Sequence, residues 1–108
     1  MVSVNIKQLA DGVLISGVGD LYTVPASTQA IIKSITYVNT HTSAVTVNMF
    51  VLPSGGTARR IIPNGTTLGI GYLLVMDDEI TLEAADKLQG QTSVSGYVDY
   101  VVLGVEEG

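Results

Sequence analysis

The sequence predicts an all-β protein, a single-domain β-sandwich or jelly roll of about eight mainly antiparallel strands. β-branched residues run through the whole chain, and several segments alternate apolar and polar residues. Turn signals rich in Gly, Pro and Asn separate these segments at short intervals. Apolar residues do not recur at helical spacing over a useful length. With 108 residues, we expect residues 1–108 to form one domain.

The first segment alternates apolar and polar residues. Val2, Val4 and Ile6 share one side of a predicted strand, and polar residues occupy the other. We expect residues 1–9 to be either an N-terminal arm or an edge strand, a candidate for strand addition to a neighbouring chain. Asp11–Gly12 predicts a turn after this segment. The apolar run at 13–15 fits either a strand or a buried connector.

Two long β-branched runs, 30–39 and 45–52, flank a short polar loop and are predicted to form the central hairpin. Both faces of the first run are mixed, so its periodicity does not identify the buried face. The second run alternates clearly, and its predicted core residues are Val45, Val47, Met49 and Val51.

Further strands are predicted from shorter signals. Residues 104–108 read as a short acidic tail, and 88–91 stays ambiguous. The remaining strand candidates, bounded by Gly, Pro and Asp breaks, are 21–25, 58–62, 67–76, 80–84 and 93–103.

Composition excludes several functional classes. Charged residues make up 14% of the chain, against about 25% in typical globular domains, so the surface is poor in charge. Such a surface suits contact with another protein. The net charge of -5 and the scattered cations argue against nucleic-acid binding. No run approaches the roughly 18 apolar residues of a membrane span, and no signal peptide is recognisable.

No catalytic constellation is visible. His41 is the only histidine and lies in a polar loop without sequence partners, so we interpret it as a solvated hairpin-tip residue. The chain has no cysteine, which removes thiol chemistry and zinc–thiolate sites. Scattered carboxylates do not indicate the paired geometry of a glycoside hydrolase. We therefore expect neither an enzyme nor a cofactor.

The densest acidic run is Asp77, Asp78 and Glu79. Clustered carboxylates suit a hard cation such as Ca²⁺, but this run offers few of the six or more oxygen ligands that such an ion takes. An exposed turn between strands is the alternative reading, and the sequence leaves the two open.

Candidate interface residues come from three parts of the chain. Arg59 and Arg60 follow a glycine-rich loop that does not lead into a helix, so a phosphate site is not indicated. The two arginines suit ion pairs with a partner subunit, or are solvated. Tyr97 and Tyr100 differ by three positions, so one of them is expected outside, on a contact surface. The predicted interface set is Val2, Val4, Ile6, Arg59, Arg60 and Tyr97.

Three segments together resemble small bacteriophage virion proteins. They are 21–35 with its Asn39–Thr40 turn, 80–88, and 104–106. The resemblance implies a compact β-sandwich or jelly roll and a structural role as a capsid cement or decoration protein. It implies no catalytic residues.

The expectation from this resemblance is a virion protein on the capsid surface, made in the host cytoplasm, that stabilises neighbouring capsid subunits. Its partners would be the major capsid protein and further copies of itself, as a homotrimer. Two alternatives remain: a phage tail or baseplate component, and a carbohydrate-binding β-sandwich module.

Overall fold

The computed structural model describes residues 4–108, with side chains from residue 8 onward. Its described part contains strands and no helix. In chain order the strands are β1 (Val4–Val13), β2 (Gly19–Thr23), β3 (Gln29–Asn39), β4 (Val45–Leu52), β5 (Arg59–Arg60), β6 (Thr66–Leu68), β7 (Leu73–Met76), β8 (Ile80–Leu82), β9 (Lys87–Thr92) and β10 (Val98–Glu107).

Two antiparallel sheets pack face to face. Sheet A has the order β1-β10-β3-β7, with β8 also paired to β3, and sheet B has the order β2-β9-β4-β5, with β6 also paired to β4. The short strands β7 and β8 share one edge position, and β5 and β6 share another, so the sandwich has eight strand positions. The chain crosses repeatedly between the sheets, as in a jelly roll. The predicted fold class is confirmed.

The core lies between the inner faces of the two sheets. Val47 and Met49 of β4 face Ile35 and Tyr37 of β3, and all four are fully buried. Val45 is also buried, so the prediction for these alternate positions of β4 is confirmed. The fourth predicted residue, Val51, is partly buried against the same cluster.

A β-bulge in β3 explains why its periodicity is mixed. Ile32 and Ile35 are both buried although they are three residues apart. The register with β10 slips between Leu103 and Gly104, which places one extra residue, Lys33, on β3. The alternation of inward and outward side chains along β3 is therefore shifted by one residue at this point. A Cβ at Gly104 would clash with the backbone carbonyl oxygen of Ile31. Only glycine therefore fits beside this bulge.

Two strand boundaries differ from the predictions. The turn expected at Asp11–Gly12 is wrong, because β1 continues to Val13 and pairs with β10 there. Gly12 lies over the ring of Tyr100, and its missing side chain leaves room for that ring. The expected acidic tail is also wrong, because β10 starts only at Val98 and runs to Glu107.

The expected strand at 67–76 is divided into β6 and β7. Gly71 has a φ of 73°, which breaks the extended conformation between them. The apolar run at 13–15 is neither wholly a strand nor wholly a buried connector. Val13 ends β1, Leu14 is a buried connector and Ile15 is exposed.

Candidate interaction surfaces

The outer face of sheet B is polar, and its side chains bond to one another. Asp20 accepts hydrogen bonds from Gln89 and Lys87, both at 2.8 Å. These two bonds hold the pKa of Asp20 below its ordinary value, and the bond from Gln89 has the larger effect. Asn48 bonds to Gln91 at 3.3 Å. This face is suited to contact with water.

The outer face of sheet A carries apolar side chains among polar ones, because Gln8, Asp11, Ser34 and Thr36 lie on the same side as Val101 and Leu103. Leu73 is 60% exposed and Leu103 is 42% exposed, and neither belongs to the core between the sheets. Alternate positions of β3, β7 and β10 and the end of β1 bring apolar side chains together on this side. We call this surface the sheet A face; its apolar residues are Val13, Ile31, Val38, Leu73, Val75, Val101, Leu103 and Val105.

The sheet A face carries more acids than bases, because Asp11 lies opposite Val101 and Glu107 opposite Gln29 on the same side. Asp99 pairs with Val38 near the start of β10, whereas Lys33 lies at the bulge beside Leu103. Lys33 forms an ion pair of 2.7 Å with Glu79, and both side chains are largely exposed. Surface pairs of this kind contribute little stability. Lys33 is therefore able to change partners at small cost.

A second apolar surface lies at one end of the sandwich. Four loops meet there: 14–18, 40–44, 69–72 and 93–97. We call this surface the loop end; its exposed apolar and aromatic residues are Ile15, Val18, Ile70, Tyr72, Val94 and Tyr97. Tyr72 is 69% exposed.

Asn39 holds two of these loops together. Its buried side-chain amide donates hydrogen bonds to the carbonyl oxygens of Ser43, Leu68 and Gly69 at 3.0–3.1 Å. Its Oδ1 accepts a bond of 2.8 Å from the His41 backbone N–H. The side chain of one residue thus fixes the β3–β4 turn against the chain between β6 and β7. The apolar residues of the loop end are therefore presented from a fixed backbone.

His41 stacks on Tyr97. The ring centroids are 4.2 Å apart and the planes are inclined by 28°. The Thr40 backbone N–H also donates to the Tyr97 carbonyl oxygen at 2.7 Å. His41 is only partly exposed, so the residue lies at a hairpin tip but is not fully solvated, and its ring packs within the loop end.

The predicted arginine pair lies on β5, at an edge of sheet B. Arg60 Cζ lies 4.8 Å from the ring centroid of Phe50, and its Nη1 donates a 2.7 Å hydrogen bond to Asn48. Arg60 thereby covers Phe50, which is otherwise an apolar residue on the outer face. Within the described part of the chain, neither Arg59 nor Arg60 forms an ion pair.

The predicted interface residues do not form one patch. Val2 lies outside the described residues, and Val4 and Ile6 are described only as backbone positions of β1, opposite Glu107 and Val105. β1 lies next to β2 at one side of the sandwich, and β5 lies at the other side. Tyr97 belongs to the loop end.

Sequence reasoning missed the sheet A face. The run Val101-Val102-Leu103 carried a signal for it, because consecutive apolar residues in a strand indicate a sheet that is covered on both sides. Only Val102 of this run faces the core.

The acidic turn does not gather further ligands. Among residues 8–108, no group of three or more His, Asp or Glu side chains is arranged to hold a metal ion. Glu79 is paired with Lys33, and Asp77 and Asp78 are exposed. In the same described part, no helix is long and apolar enough to cross a membrane.

Neither a family model nor a curated protein matches the amino-acid sequence. Chains from two viral particles are similar in structure to this chain. A chain in the acidic stable capsid structure of Helicobacter pylori bacteriophage KHP30 matches with a TM-score of 0.56 at 12% identity, over 100% of this chain and 94% of that one. A chain of infectious bursal disease virus, Gx strain, matches with a TM-score of 0.55 at 14% identity, over 99% of this chain.

Coverage differs between these two matches. This chain spans 32% of the bursal disease virus chain and nearly all of the bacteriophage chain. At these identities the likeness shows the fold, a jelly roll found in viral capsids.

Proposed function

We propose that the protein is a structural component of a virion, a cement or decoration protein that binds neighbouring capsid subunits from outside as a symmetric homo-oligomer. The loop end carries this proposal, because it presents large apolar side chains on a fixed backbone, and Ile70 and Tyr72 among them are largely exposed. An exposed apolar cluster of this kind is typical of a protein-binding surface. The likeness to the bacteriophage capsid chain supports a location in a viral particle.

The mechanism is passive. Each copy contributes a modest apolar contact to the major capsid protein, and several linked copies raise the total affinity through multivalency. Tyr72 and Tyr97 suit such a contact, since tyrosine is enriched at protein interfaces and loses little conformational freedom there. The protein would be made in the host cytoplasm and reside on the capsid surface. The resemblance to virion proteins implies three copies in the oligomer.

Co-sedimentation tests this function. The purified protein is mixed with separated heads and tails of the virus that encodes it, and the copies bound per shell subunit are counted. We expect binding to heads at a fixed ratio. The double variant Ile70→Ser, Tyr72→Ser should bind at least about tenfold more weakly, as expected for the loss of central apolar contacts. Ala58→Ser, an exposed change outside the loop end, is the matched control.

Each other outcome contradicts the proposal. Binding to tails alone would assign the protein to the tail or baseplate. Binding to neither, together with retention on a glycan array that the Tyr72 change abolishes, would assign a carbohydrate-binding module, in which exposed tyrosines stack on sugar rings. Equal binding by the double variant and the wild type would remove the loop end from the docking contact.

A further inference from the structure

We propose that Asn64 is a site of spontaneous covalent modification, at which its side chain loses the amide nitrogen as ammonia, and that the side chain of Asn48 limits the rate. Asn64 and Gly65 lie in the turn between β5 and β6, outside the loop end. The modification itself does not depend on a role in a capsid.

The sequence supplies the reactive pair of residues. Only Asn64 among the four asparagines of the chain is followed by glycine. Glycine has no Cβ, so little hinders its backbone nitrogen from approaching the preceding side chain. Asn64 is exposed, and Gly65 has a φ of 64°, as in a tight turn. The pair is therefore bent rather than extended, and water reaches it.

The reaction needs no partner except water. The Gly65 backbone nitrogen attacks Asn64 Cγ, and a new N–C bond closes a succinimide ring. The bond from Cγ to Nδ2 breaks, and the proton given up by the Gly65 nitrogen leaves with the amide group as ammonia. Water then opens the ring. Attack at Cγ gives aspartate at position 64, and attack at the main-chain carbonyl carbon gives isoaspartate, in which the main chain runs through the side chain.

The side chain of Asn48 on β4 engages the nitrogen that attacks. Its Oδ1 accepts a hydrogen bond of 2.9 Å from the Gly65 N–H. The same oxygen accepts a 2.7 Å bond from Arg60 Nη1, and the Asn48 amide donates to Gln91 Oε1 at 3.3 Å. Asn48 is thus fixed on the sheet and holds the turn. Attack by Gly65 requires this bond to break, so the bond raises the barrier in the folded protein.

The pair Asp11–Gly12 can form the same ring, with loss of water instead of ammonia. It lies within β1, where Asp11 is paired with Val101 and Gly12 with Tyr100. The continuous ladder keeps this pair extended, away from the bent geometry that ring closure needs. Reaction at Asp11 would leave the mass unchanged, whereas reaction at Asn64 replaces an NH₂ group by OH. Mass spectrometry therefore distinguishes the two sites.

Peptide mapping of the purified protein during incubation in mildly alkaline buffer tests the proposal, with enzymatic methylation to detect isoaspartate. We expect the change in mass at Asn64. Asn48→Ala should raise its rate about fivefold, the equivalent of one ordinary hydrogen bond. Asn48→Asp retains an oxygen that accepts from Gly65 and should react at nearly the wild-type rate. Gln91→Ala removes the other partner of the Asn48 amide, and as the matched control it should leave the rate unchanged.

Unfolding provides a reference that does not depend on any variant. In concentrated urea the wild type should react faster than in its folded state, and at the same rate as Asn48→Ala, because neither chain then has the bond to Gly65. Circular dichroism establishes that the variants fold in buffer. This comparison separates protection by the folded turn from an effect of sequence alone.

Three results would overturn the proposal. The first is an unmodified Asn64 after prolonged incubation of both the folded and the unfolded chain. The second is one common rate for the folded wild type, the folded Asn48→Ala variant and the unfolded chain. The third is an acceleration by Gln91→Ala as large as that by Asn48→Ala, which would assign the effect to a loosened sheet rather than to the bond.

The product changes the charge of the edge that carries both arginines of the chain. Arg60 and Gly65 share the Asn48 oxygen, so the peptide bond between residues 64 and 65 lies beside the Arg60 guanidinium. A carboxylate at position 64 then competes with carboxylates of another subunit for Arg60. This consequence for assembly rests on the proposed function.

Anion exchange separates the modified chain, and we expect it to co-sediment with heads less than the fresh protein does. Equal binding of the two forms would contradict the consequence for assembly. A protein that binds no heads in either form would overturn the proposed function, while the rates at Asn64 would still decide the modification.

Discussion

The hydroxyl of Tyr37 on sheet A donates a 3.0 Å hydrogen bond to the backbone carbonyl oxygen of Asn48 on sheet B. The bond crosses the core and joins the two sheets. It exists because β9 carries Gly90 at the point where the hydroxyl arrives: a Cβ there would clash with the Tyr37 oxygen and lie 2.9 Å from Leu21 Cδ1. The polar group at the centre of the sandwich therefore depends on one missing side chain.

Gly90→Ala should destabilise the protein by about 1–3 kcal/mol, the usual cost of overpacking a core. The added methyl group must displace the Tyr37 hydroxyl from Asn48 or push the sheets apart. Urea denaturation measures the change. Gly17→Ala is the control, because a Cβ at Gly17 has no atom within 4 Å. Equal stability of the two variants would show that Tyr37 moves freely.

Alkaline pH should destabilise the protein through its buried tyrosines. Burial raises the pKa of Tyr37 well above its ordinary value, with a smaller contribution from the neighbouring Tyr100. The folded state thus holds this proton more tightly than the unfolded chain, whose tyrosines lose it near pH 10. The stabilisation is complete below about pH 10 and is lost as the pH rises from there toward the higher folded value.

Tyr37→Phe tests this pH dependence. Its melting temperature, followed from pH 8 to 11.5, should fall less steeply than that of the wild type. Some slope should remain, because burial also raises the pKa of Tyr22 and Tyr100. For Tyr22 a hydrogen bond to Glu106 adds to the effect of burial. Parallel curves for Tyr37→Phe and the wild type would contradict the assignment.

Asn39→Ala should cost about 2 kcal/mol or more of folding free energy, because it leaves the carbonyl oxygens of Leu68 and Gly69 without their donor. Hydrogen exchange should accelerate most at 40–44 and 69–72. Thermal melting measures the loss of stability, and site-resolved hydrogen exchange measures the local acceleration. Asn64→Ala, an exposed loop change, should alter neither. A uniform increase in exchange along the chain would mean that Asn39 acts on the whole fold rather than on the loop end.

Arg60 and Arg59 should differ in their effect on stability. Arg60→Ala uncovers Phe50 and removes a cation–π contact worth about 0.5–1 kcal/mol at an exposed site. Arg59→Ala should change stability by less than about 0.5 kcal/mol, because it lies on the surface without a described partner. Chemical denaturation of both variants measures the difference. The reverse order would show that Arg59, not Arg60, packs on sheet B.

The same pair tests the predicted interface role of β5. The double variant Arg59→Ala, Arg60→Ala should weaken assembly with capsid subunits while the fold persists, because neither guanidinium group has a carboxylate partner within the described residues and arginine suits ion pairs with a partner subunit. Co-sedimentation with heads is the measurement. The variant Arg59→Lys, Arg60→Lys retains the charges and should preserve most of the binding. Unchanged assembly of the alanine variant would show that the two arginines are solvated and do not contact a partner.

The alternating pattern of 45–52 predicted β4 and its core residues correctly, because β4 is central in sheet B and has one wet face. The same rule could not resolve β3. The bulge at Lys33 reverses its inward side, and its outer face carries Ile31 and Val38 beside Ser34 and Thr36, so period two fails for two independent reasons. Gly104 marks the bulge in the sequence, but a glycine in a strand does not say which neighbour approaches it.

The candidate interaction surfaces were less predictable than the strands. Exposed Tyr72 and Ile70 lie on a short connection that the sequence pattern assigned to one continuous strand. Their convergence with Tyr97 depends on the pairing of β3 with β10 and on the Asn39 amide, both long-range features. Local periodicity contains no information about such contacts.

Val4 and Glu107 lie opposite each other in the pairing of β1 with β10. β10 leaves the loop end at Val98, so its last residues reach the far end of the sandwich. A peptide or fluorescent domain joined after Gly108 would project away from the loop end, with little hindrance to the proposed docking contact. If that contact is made on a capsid, the chain becomes an anchor for displaying foreign cargo on the outside of a particle, at a density set by the number of docking positions.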